Sequence, residues 1–226
     1  IPESDWREVD WSHFVPEIMN QDGIGACNAF AATSALRICR IMAGQPDVRL
    51  SPGHLYGRIN GGRDQGSLLG DALEALMKEG VCTTDEVGEL VWRKRDWPSG
   101  LEAISARYKI TEAFDAPTFS HLATAILMGF VVDYGIMVGN AFDTDASGWV
   151  AEGGGRGGHA MCGVGLARRE KRGKTQWGIV TVNSWGTQWG RDGIGIVPSS
   201  YFANETFTDG WAVRVAVDPS EEAYPA

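Results

Sequence analysis

No stretch of this chain approaches the ~20 uninterrupted apolar residues that a membrane-crossing helix requires. Its first residues carry neither a basic region nor a signal-like apolar core. The expectation is therefore a soluble chain with no membrane partner, its localisation otherwise unassigned. Cysteine is scarce: Cys39, Cys82 and Cys162 are scattered, and with Cys27 they make the whole complement of four. Neither a disulfide framework nor a structural zinc is expected from them. His13, His54 and His121 have no Cys or carboxylate at ligand spacing, so no metal site is read there, and no cofactor is implied. Positive charge is also short, with 20 Lys and Arg against 29 Asp and Glu, a net charge of −9. Phosphate binding needs a clustered positive field, so nucleic acid is not an expected partner. The basic residues within 168–174 are the local exception, read as a solvated turn between two strands. The glycine-rich run 153–158 lacks the Lys-Ser/Thr ending of a P-loop and precedes a strand, so it reads as a mobile cleft loop.

What the chain does contain suits a globular domain. Its 226 residues, 43% of them hydrophobic, can bury a substantial core. Cys27 follows Gln21-Asp22-Gly23-Ile24-Gly25-Ala26 and opens a run of good helix formers, which places a thiol in the first turn of a helix over 29–42. Orphan N–H groups and the helix dipole there favour thiolate over thiol. A buried helical cysteine is the plain structural alternative. Two distant segments supply what a cysteine nucleophile needs. Gly157-Gly158-His159-Ala160 puts an imidazole at the start of an apolar strand, and a β-branched strand from Trp177 ends at Asn183-Ser184-Trp185-Gly186. An imidazole beside a thiol acts as base and then acid, and the Asn183 oxygen fixes its tautomer.

With Cys, His and Asn in that order, the chain resembles the papain-like cysteine peptidases. His159 and Asn183 lie 132 and 156 residues beyond Cys27, against roughly 130 to 150 for the family. The resemblance spans nearly the whole chain: Ile1-Pro2-Glu3 with Asp5-Trp6-Arg7, Leu50-Ser51-Pro52, and Asn183-Ser184-Trp185-Gly186-Thr187-Gln188-Trp189-Gly190 all look like family segments. It implies an α+β, two-lobe fold, with a mainly helical lobe over 1–110 packed on an antiparallel β-barrel-like lobe over 111–217 and a loose tail over 218–226. It further implies that Cys27 is the nucleophile, His159 the proton carrier and Asn183 its orienting group. Gln21 and the Cys27 amide would form the oxyanion hole, and Trp185 would shield the His–Asn bond from water. Gly66 would pair with substrate backbone, while Leu68, Leu69, Val131 and Ala160 would shape an apolar pocket for the second residue before the cut. Ser67, Gly158 and Trp185 complete the expected substrate-binding set. The implied partner is a peptide or protein substrate, with an inhibitory propeptide or a larger assembly lying outside this chain.

Departures from the family pattern are equally specific. Where the family signature reads C-G-[SA]-C-[WY], this chain has Ile24-Gly25-Ala26-Cys27-Asn28. Ile24 removes a disulfide partner, and Asn28 is expected to make the leaving-group wall of the cleft more polar and open. Gly66-Ser67-Leu68-Leu69-Gly70-Asp71 with Lys78-Glu79-Gly80-Val81-Cys82 resembles the disulfide-poor bacterial, archaeal and viral branch. The leading function is an endopeptidase working through a thioester. Its rivals are a catalytically silent binding or assembly module, and acyl transfer or peptidoglycan cleavage by the same thiol. Helices are expected over 29–42, 52–59, 68–79, 100–107 and 120–128, and strands over 130–137, 160–166, 177–183, 193–197 and 211–217.

Overall fold

The computed structural model describes residues 1–203 and 206–215. Two left-handed residues, Asp22 at φ 46° and Gly23 at φ 78°, turn the chain into α1 (Cys27–Met42). This helix is central: Phe30, Ala32, Ala35, Leu36 and Ile38 are all at 0% exposure. Its one buried charge, Arg37, is accommodated because Nε and Nη2 fork onto Asp47 at 3.1 and 2.8 Å while Nη1 reaches Glu17 at 3.1 Å. Against α1 pack α2 (Pro52–Ile59) and α3 (Leu69–Lys78). Ser51 caps α2 by accepting from the His54 N–H at 3.0 Å, and Pro52 sits where a missing N–H costs nothing. The helix expected over 100–107 shrinks to the single turn α4 (Glu102–Ser105), and α5 (Phe119–Leu127) follows its Thr118 cap.

The second half is one antiparallel sheet: β2 (Glu112–Asp115), β7 (Phe207–Arg214), β3 (Val131–Val138), β4 (Gly157–Lys171), β5 (Lys174–Val182) and β6 (Ile194–Pro198) lie side by side in that order. The short β1 (Val9–Asp10) pairs with Leu166 and Gly165 of β4, beyond the residues paired with β3. Neither β1 nor β2 is anticipated by periodicity, since two to four residues carry too little pattern to read. The basic cluster is also not a turn: residues 168–171 continue β4 and pair with residues 174–177 of β5, leaving only Arg172 and Gly173, at φ 53° and 73°, as the hairpin turn. Nor is the glycine run a free loop, because Gly157 and Gly158 pair with Val138 and Met137. A Cβ at Gly155 would fall 1.9 Å from the Val138 carbonyl oxygen, so that position is packed against backbone.

The sheet separates two cores. One face, through Val131, Cys162, Val180 and Val213, packs with α1, α2 and α3; the other, through Val132, Tyr134, Ile136 and Met161, packs with α5 and Trp6. The first ten residues therefore belong with the β half instead of the helical lobe, clamped by Trp6 against Phe119 and Trp177 at 5.7 Å each. Among the described residues all four cysteines are free thiols, and no helix is long and apolar enough to cross a membrane. Trp211–Arg214 of the last expected strand is in β7, while its end at 216–217 and the tail over 218–226 lie outside the described residues.

Candidate active site

A cleft of about 610 Å³ opens between the helices and the sheet. Its helical wall carries Cys27, Asn28 and residues 65–71; its sheet wall carries Gly135, Gly158, His159, Ala160, Thr208 and Asp209. Cys27 is the first residue of α1, where helix geometry leaves its N–H without an intrahelical acceptor. The turn before it is pinned to the 64–66 segment of the same wall. Gly25 N–H donates to Asp64 Oδ1 at 2.8 Å, the Tyr56 hydroxyl donates to the same oxygen at 2.7 Å, and Gly66 N–H donates to the Tyr56 oxygen at 3.2 Å. A Cβ at Gly25 would press on Asp64 Oδ1 at 3.0 Å and Gly66 N at 3.1 Å, so a side chain there would crowd this junction.

His159, the third residue of β4, is 6% exposed and lies within 2.8 Å of Asn183 Oδ1 through Nε2. The Ser184 N–H donates to the same Oδ1 at 2.8 Å, which identifies that atom as the carboxamide oxygen. Nε2 consequently carries the ring proton and Nδ1 is left as the basic nitrogen. The Trp185 indole stacks on the imidazole, centroids 4.5 Å apart and planes 27° apart, covering the pair from one side. Gln21 is fixed beside them: Oε1 accepts from the Ser184 hydroxyl at 2.7 Å and Nε2 donates to Ile24 O at 2.7 Å. One amide N–H of Gln21 remains for another acceptor.

Electrostatics depart from the expected thiolate. Burial pushes the Cys27 thiol up, against the amides of Ala160, Asn28 and Cys27 itself, which pull it down. Burial also holds His159 down at about 4, although its bond to Asn183 favours the charged ring. Desolvation thus outweighs the surrounding backbone N–H groups at Cys27 and favours the neutral thiol and the neutral ring.

Of the expected substrate-binding residues, Gly66, Ser67, Leu68, Leu69, Gly158 and Ala160 line the cleft. Trp185 sits over His159 instead. Val131 is displaced from its expected role: it is fully buried against α1, and the cleft position on β3 is Gly135, two steps further along the same face. Asn28 also differs from expectation. Its side chain is buried and donates through Nδ2 to Ser67 Oγ at 3.0 Å and Leu68 O at 2.6 Å, so it braces the 66–69 wall and opens nothing. Gln65, Asp71, Thr208 and Asp209 were not anticipated as cleft residues; Gln65 and Asp71 flank the expected 66–69 wall, while Thr208 and Asp209 join it only through folding. Among the described residues no group of three His, Cys, Asp or Glu side chains converges as a metal site.

A helical lobe and an antiparallel sheet meeting at a cleft, a cysteine on one wall and an amide-oriented histidine on the other, is the architecture of the thiol proteases. The chain belongs to the papain family of cysteine proteases, whose family model matches residues 1–200. It is 25% identical over 226 residues to an uncharacterized peptidase C1-like protein of Acanthamoeba polyphaga mimivirus, covering 89% of this chain and 70% of that one. It is 29% identical to a cathepsin B-like protein of Giardia intestinalis over 218 residues, covering 85% and 67%. Among solved structures it superposes on xylellain, a cysteine protease from Xylella fastidiosa, with a TM-score of 0.74, 26% identity and coverage of 95% and 88%. Digestive procathepsin L 3 of Tenebrio molitor shares the fold at a TM-score of 0.71 and 18% identity, over 92% of this chain and 69% of that one.

Proposed function

We propose that the chain is a cysteine endopeptidase that hydrolyses peptide bonds through a thioester. The observation that carries this reading is the 2.8 Å His159–Asn183 pair sharing a cleft with a thiol at the start of α1. As Cys27 Sγ attacks the scissile carbonyl, His159 Nδ1 takes the thiol proton, so charge is created only when substrate arrives. The tetrahedral oxyanion is met by the Cys27 N–H and the free N–H of Gln21. The C–N bond then breaks, with His159 returning the proton to the leaving amine. Water, deprotonated by the same ring, attacks the thioester, and collapse of the second oxyanion releases the acid and restores the thiol. Asn183 keeps Nδ1 turned to this work throughout, and Trp185 lowers the dielectric around the bond that does so. Substrate backbone is received along Gly66, which has no side chain to obstruct it and whose φ of 80° favours glycine.

The test is cleavage of an unstructured peptide library in reductant by the wild type and by Cys27→Ala. Cleavage that vanishes in Cys27→Ala, with a thermal midpoint close to wild type, is the expected result. Folded wild-type protein that modifies at Cys27 yet cleaves no peptide would remove the free-peptidase reading.

A further inference from the structure

A second concave site, sharing no lining residue with the cleft, lies where the C-terminal end of α2 meets the segment over 92–97. It is a pocket of about 360 Å³ whose charged lining residues are all cations: Arg58 from α2, and Arg93, Lys94 and Arg95 from the turn that follows Trp92. No aspartate or glutamate lines it, in a chain whose net charge is −9. Sequence patterning does not mark this cluster, because Arg58 joins the other three only through folding. The Trp97 indole N–H donates to Val91 O at 2.9 Å and the Trp97 backbone N–H to Lys94 O at 3.2 Å, closing the turn that carries three of the cations. The Arg93 guanidinium lies over the Trp92 ring, 5.0 Å from its centroid. Arg58 pairs with Glu79 and Arg95 with Asp96, whereas Arg93 and Lys94 form no ion pair among the described residues.

Asn60 points independently to a ligand. It follows the last residue of α2, is 7% exposed and lines the same pocket. Its Oδ1 accepts from the Gly62 N–H at 2.8 Å, which identifies that atom as the carboxamide oxygen, but Nδ2 is buried with no acceptor in the protein. Buried N–H donors are nearly always paired, so one left open marks a place where an acceptor is missing. Beside it Gly61 and Gly62, at φ 62° and 81°, put no side chain over the pocket, and nothing stands within 4 Å of where their Cβ atoms would lie. The dipole of α2 favours a cation at this end by itself, yet about half a unit of negative charge does not call for four, and it leaves Asn60 Nδ2 unserved.

We propose that this pocket binds a doubly charged tetrahedral oxyanion, a phosphate or sulfate group, between Arg93, Lys94 and the Asn60 carboxamide. Such a group brings several acceptor oxygens at once, enough to serve the two cations that lack a carboxylate and the amide donor that lacks an acceptor. The site is independent of the peptidase reading, since none of its residues belongs to the thiol chemistry.

The experiment reads binding and its location together. Nitrogen-15-labelled protein is titrated at low, constant ionic strength with inorganic phosphate, inorganic sulfate, acetate or a blocked phosphoserine peptide, while NMR follows the Asn60 side-chain amide and the backbone amides of Gly61 and Gly62. Phosphate and sulfate should shift these signals saturably and bind about tenfold tighter than singly charged acetate. Arg93→Gln and Lys94→Gln, both at exposed positions, should each weaken phosphate by about tenfold. Lys174→Gln removes the same charge from the exposed β4–β5 hairpin and should leave phosphate binding unchanged. The peptide separates the sources: its binding as tightly as phosphate assigns the site to an ester-borne group, phosphate binding without it assigns the free ion, and either supports the pocket. Signals at Asn60 that do not saturate with phosphate or sulfate, acetate binding as tightly as phosphate, or a loss in Lys174→Gln equal to that in Lys94→Gln would overturn the proposal.

Discussion

At the scale of single residues, the four thiols differ by burial more than by motif. Cys39 is pushed up to about 12 and Cys82 to about 11, and Cys162 lies well above the usual thiol range, each mainly by desolvation. These three are 5% exposed or less, whereas Cys27 alone reaches the cleft. Iodoacetamide should therefore alkylate Cys27 first, at a rate that climbs with pH because the thiol is raised and the thiolate is the reactive form. Intact mass followed by peptide mapping reads the order. Label appearing on Cys39 or Cys162 as early as on Cys27 would contradict the burial argument. Asn28 shows the same lesson from the other side: a polar residue beside the nucleophile is spent on bracing Ser67 and Leu68, a role invisible until the 66–69 wall is folded against it.

Among the elements, α2 is positioned by what it lacks. A Cβ at Gly57 would stand 2.1 Å from the Trp92 carbonyl oxygen and 2.4 Å from the Trp97 ring, and a backbone carbonyl cannot swing aside as a flexible side chain can. Tyr56, next on the same helix, holds the Asp64 and Gly66 contacts that fix the cleft rim. Gly57→Ala should thus cost roughly 1–3 kcal/mol by overpacking, despite alanine's better helix propensity. Differential scanning calorimetry would show a lowered midpoint; an unchanged or raised one would mean that the 92–97 segment moves freely. On the opposite wall the counterpart is β4, whose pairing with β3 at one end and β5 at the other places His159 and extends the basic residues 168–171 outward.

Taken as a whole molecule, buried titratable groups set the response to acid. His54 and His159 are both held at about 4 by burial, below the unfolded value near 6.5. Between those limits the unfolded chain binds two protons that the folded chain refuses, so stability rises with pH across the window and is lost as pH falls toward 4. Asp133 acts oppositely, since it keeps a proton in the folded state that the unfolded chain releases above its normal value. Two against one leaves a net gain in stability with rising pH of about 1.4 kcal/mol per unit from these three groups. The urea midpoint should be lower at pH 4.5 than at pH 6.5, and Asp133→Asn should steepen the dependence. A midpoint that stays flat or falls as pH rises over that range would contradict the depressed values of the two histidines.

Local chemistry was enough to mark Cys27, His159 and Asn183 as candidates, because each sits in a short string whose glycines, strand patterning or terminal amide can be read without its neighbours, whereas Gln21 was marked only by the resemblance to the papain family. The long helices and the two-sided sheet were legible for the same reason: hydrophobic periodicity is a property of sequence windows. Tertiary structure alone decided what lies between those elements. Val131 and Gly135 share one strand face, and only the tertiary packing determines that the first is core and the second is cleft. The same packing carried Asn28 onto the 66–69 wall, desolvated the thiol and imidazole, and left Asp133 buried without a partner behind Asp209. Sequence specifies which groups are present, but burial, and with it charge state and neighbour, is a sum over residues far apart in the chain.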